Sequence, residues 1–504
     1  MPRRRNAMAL RTKVLTRRPL ASPTILGVIQ AAALRINPDR RSHLERLPNE
    51  LKRMIIAELP GVRIIDNLAL TGPEFCYFIA TNEKIIAKDV FKVRIPPSLQ
   101  HVAVATYAAL MADWNCHRLE EAHPANTPLD YPYISSIIDF VERYRLPNGF
   151  ALETQHPGGL LLKELNQYLV IYSSISQFSV QLATGALAAV PGILGFTPHI
   201  TPTVLVRYQK ALYILQLVSE LFSLRGREQN PWMHMAWGSF WRALEPWEME
   251  QVFGAQVLLK EFIAANIGRE FEKVYWREGD PQHSMAKFVV FYGPARLWAL
   301  HVRKQGSISL GQSYLAFRKW NQSDYIAMPV CAPGFGLDIS LRRIGKKLRE
   351  WKKGTPFPYN ELDYASMKHW FHIYLYGKLE NRQLRTGPYS FFACFHCLTN
   401  AGYAFWDNMG CIRLPAPAML EMHRMTVEKF RNAANTYVPP NRIGAPWWYR
   451  QTDMCLSQSY LRFQLVHQLD PSREYCYHSL GQALSEEEEL QRLQEEIGPM
   501  ALVM

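Results

Sequence analysis

Apolar residues recur every three or four positions along most of the chain, and clusters of Pro and Gly separate these stretches. Such spacing predicts helices, and the clearest cover residues 204–223, 248–267, 284–303 and 362–379. Alternation with a period of two is rare, so strands are expected only as short segments, with 287–292 and 325–330 as the candidates. No repeat of about 20 to 50 residues recurs. The pattern therefore predicts a mainly α-helical protein without recognisable repeats.

The first clear helix pattern in the N-terminal part covers residues 46–59. Pro48 suits the first turn of a helix, because the N–H that it lacks would have no partner there. Pro60-Gly61 then ends the helix. Apolar residues spaced by three and four positions form one face of this helix: Leu51, Met54, Ile55 and Leu59.

Two further short helices are expected before the Pro96-Pro97 pair. Asp66 is a suitable N-cap for the second helix, and Gly72-Pro73 separates it from a third helix at residues 74–84. The packing residues expected on the third helix are Phe75, Tyr77, Phe78 and Ile79. Three short helices spanning about 45 residues bury little surface, so this unit needs a partner or the rest of the chain for stability.

The order Leu-Pro-x-x-Leu-x-x-x-Ile-x-x-x-Leu, followed by Asp-x-Leu-x-Leu-Thr, resembles an F-box. In that family the segment binds the Skp adaptor of SCF-type cullin-RING ubiquitin ligases, and the rest of the chain holds the substrate. Gly72-Pro73 interrupts the pattern where many F-boxes continue as a helix. The resemblance implies interface and packing roles for seven residues: Leu47, Pro48, Leu51, Ile55, Leu59, Leu68 and Leu70.

This resemblance implies a chain that recruits a protein substrate and has the Skp adaptor and the cullin-RING ligase as partners. The Trp-rich helices that follow are similar in style to fungal F-box-like proteins. The division expected from the sequence is a basic flexible lead at 1–42, an F-box-like three-helix domain at 43–97, an α-helical domain for substrate or partner recognition at 98–484, and an acidic tail helix at 485–504.

Basic residues are concentrated at the start of the chain. The formal net charge is +13, and the first 41 residues hold ten Lys or Arg residues and one acidic residue. The body of the protein is therefore close to neutral, so nucleic acid is not expected as a partner. The lead is consistent with a disordered arm, a mitochondrial presequence or a nuclear import signal. Adaptor binding would require a cytoplasmic or nuclear location.

Several familiar catalytic motifs are missing from the sequence. The chain contains no Walker-type phosphate loop, Gly-x-Ser-x-Gly elbow, kinase Asp-Phe-Gly triplet or His-Glu-x-x-His zinc motif. No catalytic residue and no cofactor is assigned, and the chain is not expected to be an enzyme. Two alternatives stay open. One is a protein-interaction scaffold that assembles no ligase, and the other is an enzyme or small-molecule binder with its pocket in the C-terminal helical domain.

That pocket would lie under residues 165–206, which contain no charged side chain. Pro and Gly residues interrupt this stretch, and its cleanest apolar run covers only residues 182–196. A membrane-spanning helix needs about 20 mostly apolar residues. A buried helix followed by an internal loop is therefore expected here, and no membrane is expected as a partner.

The best candidate for metal chemistry is the Cys394-x-x-Cys397 pair, with Cys411 and His423 as further ligands. Zinc binds four Cys or His ligands in a tetrahedron, and Cys-x-x-Cys is a common half-site. Aromatic residues surround the pair, however, and no second Cys-x-x-Cys follows. Because free Cys is among the most buried residue types, these residues are expected to be core thiols, and no metal site is predicted.

Two further segments admit both a structural and a binding interpretation. Residues 341–353 form an amphipathic helix pattern with a strongly basic face, which is typical of a solvated surface but also of a site for an acidic partner. Residues 230–252 hold Trp232, Trp237, Trp241 and Trp247. Aromatic clusters of this kind are usually part of a core, although they are also favoured at binding hot spots.

Overall fold

The computed structural model describes residues 42–112, 132–146, 148–188, 200–222, 231–266, 281–302, 306–321 and 402–406. Within these ranges 83% of the residues are helical and none belongs to a strand. The prediction of a mainly α-helical protein is therefore confirmed. The expected lead, the tail helix and the helix at 362–379 lie outside the described residues.

The described residues divide into two compact units. Unit 1 contains residues 42–96 together with His156–Leu169, and unit 2 contains Pro97–Gln155 and the described residues from Val170 onward. Unit 1 is therefore built from two stretches that are separated in sequence. Its second stretch comes from within the predicted 98–484 domain.

Unit 1 has four helices before Pro97, where three were expected. They are α1 (Asn49–Ala57), α2 (Val62–Ala69), α3 (Pro73–Thr81) and α4 (Glu83–Arg94). The predicted third helix ends early because the backbone at Asn82 leaves helical geometry, and the Asn82 amide donates to the Phe78 carbonyl. The second helix begins at Val62 and not after an Asp66 cap, because Val62 and Ile65 are both buried on its inner side.

The core of unit 1 contains most of the aromatic residues expected there. Phe75, Phe78 and Ile79 on α3 are buried, as the sequence predicted, whereas Tyr77 is half-buried. On α4 the ring of Phe91 is fully buried and packs edge-on against Tyr168, with 5.1 Å between the ring centroids. Aromatic side chains thus connect the two stretches of unit 1.

The segment His156–Leu169 is held in unit 1 by polar contacts as well. The Leu162 N–H donates to a carboxylate oxygen of Glu83 at 3.0 Å. The buried His156 ring lies 3.1 Å from the Tyr168 hydroxyl and 3.3 Å from a Glu164 oxygen. The Glu83 carboxylate therefore provides an acceptor for one free N–H at the start of the helix Leu162–Ala188, and the His156 contacts link the two ends of the segment.

Nine helices follow α4 within the described residues. They are α5 (Pro97–Met111), α6 (Pro132–Arg145), α7 (Leu152–Gln155), α8 (Leu162–Ala188), α9 (Pro202–Phe222), α10 (Pro231–Ala243), α11 (Pro246–Asn266), α12 (Pro281–His301) and α13 (Gly306–Asn321). Helix α8 contributes its first residues, up to Leu169, to unit 1 and the remainder to unit 2. No helix in the described ranges is both long enough and apolar enough to cross a membrane.

Helix α9 forms the centre of unit 2 and packs against α5, α11 and α12. The helices predicted at 204–223, 248–267 and 284–303 correspond to α9, α11 and α12, so these predictions are confirmed. The strand suggested at 287–292 is wrong, since these residues lie inside α12. Consecutive buried side chains there reflect a helix that packs against α9, α11 and α13, which imitates the apolar run of a strand. The strand candidate at 325–330 lies outside the described residues.

Helix α12 is broken at Gly293-Pro294, where Gly293 adopts a φ of 72°. Two side chains of α9 form hydrogen bonds with backbone groups near the break. Gln216 accepts a hydrogen bond from the Ala295 N–H at 2.9 Å, and the Ser219 hydroxyl donates to the Phe291 carbonyl at 3.3 Å. A buried polar set on α9 therefore stabilises the break.

A short 3-10 helix, Tyr403–Phe405, also belongs to unit 2. The Phe405 ring stacks on Tyr208 with 3.7 Å between centroids, and the buried Arg207 guanidinium donates to the Phe405 carbonyl at 2.8 Å. Gln251 on α11 donates to the Ala404 carbonyl at 3.3 Å. We call residues 402–406 the anchor, because its buried side chains and backbone are held by both α9 and α11.

Candidate partner-binding surface

Helix α1 has apolar side chains on the side that faces solvent. Leu51, Met54 and Ile55 are 43%, 65% and 40% exposed, whereas Ile56 is fully buried and Ala57 nearly so. A rotation of 100° per residue places the first three on one side of the helix and the last two on the opposite side. The apolar face identified in the sequence is therefore an exposed surface of unit 1.

Charged residues hold the inner side of α1 in place. The Lys52 ammonium lies 3.1 Å from a Glu74 carboxylate oxygen on α3, and it sits 5.6 Å from the centroid of the Phe78 ring. Arg53 donates two hydrogen bonds to Asp89 on α4, the shorter at 2.6 Å. Paired charges can be buried because their hydrogen bonds offset the loss of hydration. They leave the apolar side chains of α1 to face outward.

The structure shows where each of the seven residues implicated by the resemblance lies. Leu51 and Ile55 are exposed on α1, and Leu70 is 84% exposed at the end of α2. Pro48 is exposed at the N-cap of α1. Half-buried positions complete the set: Leu47, Leu59 and Leu68. None of the seven side chains is buried, so all of them retain surface that a partner could cover.

Exposed apolar side chains are concentrated in unit 1. Fourteen large apolar side chains are exposed among the described residues, and eight of them belong to this unit. Sequence reasoning identified four of these eight, and the others are Ile64, Ile85, Val93 and Leu161. Three of these four stand directly beside another Ile or Leu that is buried, so no periodic signal in the sequence separates them from core residues. We call Leu51, Met54 and Ile55, with Pro48, the α1 apolar surface.

A cluster of ionisable groups lies in unit 2, and sequence reasoning missed it. The His101 ring on α5 packs against Tyr144 on α6 at 5.0 Å between centroids. Lys210 and Glu248 form an ion pair at 2.7 Å and act electrostatically on both rings. Burial lowers the pKa of His101 and raises that of Tyr144. Both rings are therefore held neutral near pH 7.

The Trp-rich segment contributes to the core of unit 2. Trp237 and Trp247 are buried, and Trp237 and Trp241 pack edge to face at 5.3 Å between centroids. Phe222 at the end of α9 packs on Trp237 in the same way, at 5.1 Å. Of the two interpretations that the sequence left open, a core role is observed for Trp237 and Trp247, whereas Trp241 is half-buried.

The other candidates for chemistry fall elsewhere in the chain. The possible zinc ligands Cys394, Cys397, Cys411 and His423 lie outside the described residues, as does the basic segment 341–353. Within the described ranges, no group of three or more His, Cys, Asp or Glu residues is arranged to hold a metal ion. The α1 apolar surface is therefore the strongest candidate for a functional site within the described residues.

Comparisons with known proteins returned nothing for this chain. No protein-family model matches it, and no curated protein or solved structure is significantly similar to it.

Proposed function

We propose that this protein is the substrate-recruiting F-box subunit of an SCF-type cullin-RING ubiquitin ligase. Unit 1 binds the Skp adaptor through Leu47, Pro48, Leu51 and Ile55, with Leu59, Leu68 and Leu70 completing the interface and its packing. The remainder of the chain recognises a protein substrate. The protein supplies no catalytic residue and acts by holding its target near a ubiquitin-charged enzyme.

The observation that supports this proposal most is the direction in which α1 faces. The side chains that match the F-box pattern are those that α1 exposes, whereas the core contacts of the helix come from Ile56 and Ala57. An ordinary amphipathic helix of a self-contained domain would bury the more apolar side. Exposed apolar residues grouped on one helix face are typical of a protein-binding site.

A partner that covers the α1 apolar surface would gain binding free energy from the hydrophobic effect. Leu51, Met54 and Ile55 together expose the equivalent of about one and a half side chains. Full burial of such a residue contributes about 1.5 to 3 kcal/mol, so covering all three adds about 2 to 4 kcal/mol to binding. This contribution is large enough to matter for affinity, because about 1.4 kcal/mol changes a dissociation constant tenfold.

The proposal also specifies the partners of the protein and its location in the cell. The Skp adaptor and the cullin-RING ligase are its partners, together with one or more protein substrates. Such a role places the chain in the cytoplasm or the nucleus. It requires no membrane, no nucleic acid and no cofactor.

Binding to a purified Skp adaptor tests the proposal directly. The intact protein should bind, and the double variant Leu51→Ala with Ile55→Ala should weaken binding at least about tenfold, because it removes apolar contacts worth about 1.4 kcal/mol or more. The matched control is Ile85→Ala with Val93→Ala, which truncates two similarly exposed apolar residues on α4. Calorimetric titration gives the affinities, and circular dichroism establishes that each variant is folded.

Two results of the binding experiment would overturn the proposal, and a third result would favour the scaffold alternative. Failure of the folded, intact protein to bind the adaptor overturns the proposal, and so does equal weakening by the α1 and α4 double variants. If the adaptor binds but a reconstituted cullin complex transfers no ubiquitin to any associated protein, the alternative of a scaffold that assembles no ligase replaces it.

A further inference from the structure

Met54 is the most exposed of the three large apolar side chains on the α1 apolar surface, at 65%. Among the other methionine side chains that the structure describes, Met111 at the end of α5 is 54% exposed and Met285 on α12 is fully buried. The susceptibility of a side-chain sulfur to oxidation follows its exposure. The sulfur of Met54 is therefore accessible to a small oxidant in the folded protein.

The helical neighbours of Met54 place it inside the proposed interface. Leu51 lies three residues earlier and Ile55 is the next residue, so both border it on the α1 apolar surface. The neighbours four residues away on either side are Glu50 and Glu58, and both are exposed. Met54 therefore lies between the apolar positions of α1 and a hydrated, acidic edge of the same helix.

Methionine reacts with a peroxide by transfer of one oxygen atom. A lone pair of the sulfur attacks one oxygen of hydrogen peroxide, so that an S–O bond forms while the O–O bond breaks. The released hydroxide takes the proton of the transferred oxygen and leaves as water. The sulfur loses two electrons, the peroxide gains them, and a flexible apolar side chain becomes a polar sulfoxide. Methionine sulfoxide reductases reverse the reaction with a dithiol as the reductant.

We propose that Met54 is a reversible oxidation site through which a peroxide controls the binding of the adaptor to unit 1. This inference rests on the proposed function, because it assigns a regulation to the same surface. In the complex a sulfoxide would lose its hydration without gaining a hydrogen-bond partner, which disfavours binding. In the free protein the sulfoxide stays hydrated, so oxidation weakens binding without unfolding α1.

The adaptor and the peroxide compete for the same side chain. An adaptor that covers the α1 apolar surface excludes the oxidant from Met54, so the assembled protein resists oxidation. The unassembled protein is oxidised and then binds poorly. Met111 provides the matched comparison, because it is similarly exposed but belongs to unit 2, to which no adaptor contact is assigned.

Calorimetric titration with the purified Skp adaptor, before and after mild treatment with hydrogen peroxide, tests the inference in the full-length protein. The proteins compared are the unchanged chain, Met54→Leu and Met111→Leu. Each protein is compared with itself before oxidation, so the effect of a substitution on binding cancels. All three keep the eight cysteines, so a difference between them reports the substituted methionine. Circular dichroism establishes that each oxidised protein is folded.

Oxidation should weaken binding at least about tenfold in the unchanged chain and in Met111→Leu, and much less in Met54→Leu. Treatment with methionine sulfoxide reductases and a dithiol should restore the affinity of the unchanged chain. Mass spectrometry of peptides should detect oxidation of Met54 before that of Met285, and bound adaptor should slow it at Met54 but not at Met111.

Two failures can be told apart. If the adaptor binds before oxidation but the unchanged chain and Met54→Leu lose the same affinity, or neither loses any, the inference is overturned and the proposed function stands. If bound adaptor leaves the oxidation rate of Met54 unchanged, the inference is likewise overturned. If the folded protein fails to bind the adaptor before oxidation, both the proposed function and this inference are overturned.

Discussion

The ammonium group of Lys52 lies 3.1 Å from Glu74, and their side chains are only 5% and 17% exposed. This ion pair is close to the least exposed part of α1 and connects it to α3. Removing one member of a buried ion pair leaves the other charge in a poorly solvated place, which destabilises a protein by about 3 kcal/mol or more. We therefore expect Lys52→Met to lower the free energy of unfolding of unit 1 by about 3 kcal/mol, as measured by denaturant titration.

A double variant distinguishes the cost of an unpaired buried charge from the cost of altered packing. Lys52→Met with Glu74→Gln removes both charges, so it should be more stable than Lys52→Met alone. If the single variant were as stable as the unchanged protein, the ion pair would not hold α1 on unit 1.

Truncation should destabilise the protein much more on the buried side of α1 than on its exposed side. Ile56 is fully buried, so Ile56→Ala should destabilise the protein by about 2 to 5 kcal/mol. Leu51→Ala truncates an exposed side chain, and we expect its effect on stability to stay within about 0.5 kcal/mol. Denaturant titration of both variants checks the orientation of α1 without any partner. A larger loss for Leu51→Ala than for Ile56→Ala would contradict that orientation.

The sequence located α1 to within three residues, since residues 46–59 were expected and the helix is Asn49–Ala57, but it did not show which side of the helix is buried. Pro48 and Pro60-Gly61 punctuate the chain locally, so their effect can be inferred from neighbouring residues. The orientation depends on Lys52 and Arg53, whose partners lie 22 and 36 residues further along the chain. A periodic pattern contains no information about such distant pairing, and by hydrophobicity alone the wrong face is chosen.

Two other features also depend on contacts between residues that are distant in sequence, so the local pattern does not predict them. The segment His156–Leu169 joins unit 1 through Glu83 and Phe91, and nothing in its local pattern distinguishes it from the helices of unit 2. The cluster around His101 assembles side chains from four helices that are distant in sequence. Its members look like scattered polar residues until the fold brings them together.

The His101 environment predicts that stability depends on pH. The charged groups near its ring are Lys210 on α9 and Glu248 on α11, with the neutral Tyr144 on α6 and the Leu146 backbone also in contact. Burial lowers the pKa of His101 below the ordinary value of 6.5, so the unfolded chain binds more protons at mildly acidic pH. The stability that this residue provides is present above pH 6.5 and is lost as the pH falls towards its folded pKa.

Replacement of His101 by Phe should reduce this acid sensitivity. The variant removes the titrating group but keeps an aromatic ring against Tyr144 and Phe150. Denaturation midpoints measured between about pH 7.5 and pH 5 should fall less for His101→Phe than for the unchanged protein. His43→Asn, at an exposed position, serves as the control. An unchanged slope in His101→Phe would show that other groups dominate the acid response.

Gly293 at the break of α12 should not tolerate a side chain. Its φ of 72° is unfavourable for L residues, and an added Cβ would lie 2.7 Å from Gln216 and 2.8 Å from Ser219. We expect Gly293→Ala to destabilise unit 2 by about 2 kcal/mol or more, since backbone strain alone contributes about 1 to 2 kcal/mol. Thermal unfolding measures this loss.

Gly158 provides the matched control for that substitution. A Cβ atom added there would meet nothing within 4 Å, and its backbone is not left-handed. Gly158→Ala should therefore change the unfolding temperature little. Equal losses for the two variants would mean that the geometry at Gly293 carries no special strain.

The two-stretch composition of unit 1 decides how this unit can be isolated. A fragment that stops at Pro97 would include the whole F-box-like pattern but would lose Tyr168, the ring that packs on Phe91. Such a fragment would have an open core and would aggregate or bind weakly even if the intact protein binds tightly. Residues 97–155 are an insertion between the two stretches of unit 1. A fragment that preserves the core of this unit must therefore extend through Leu169, or must join His156–Leu169 to the first stretch by a short linker.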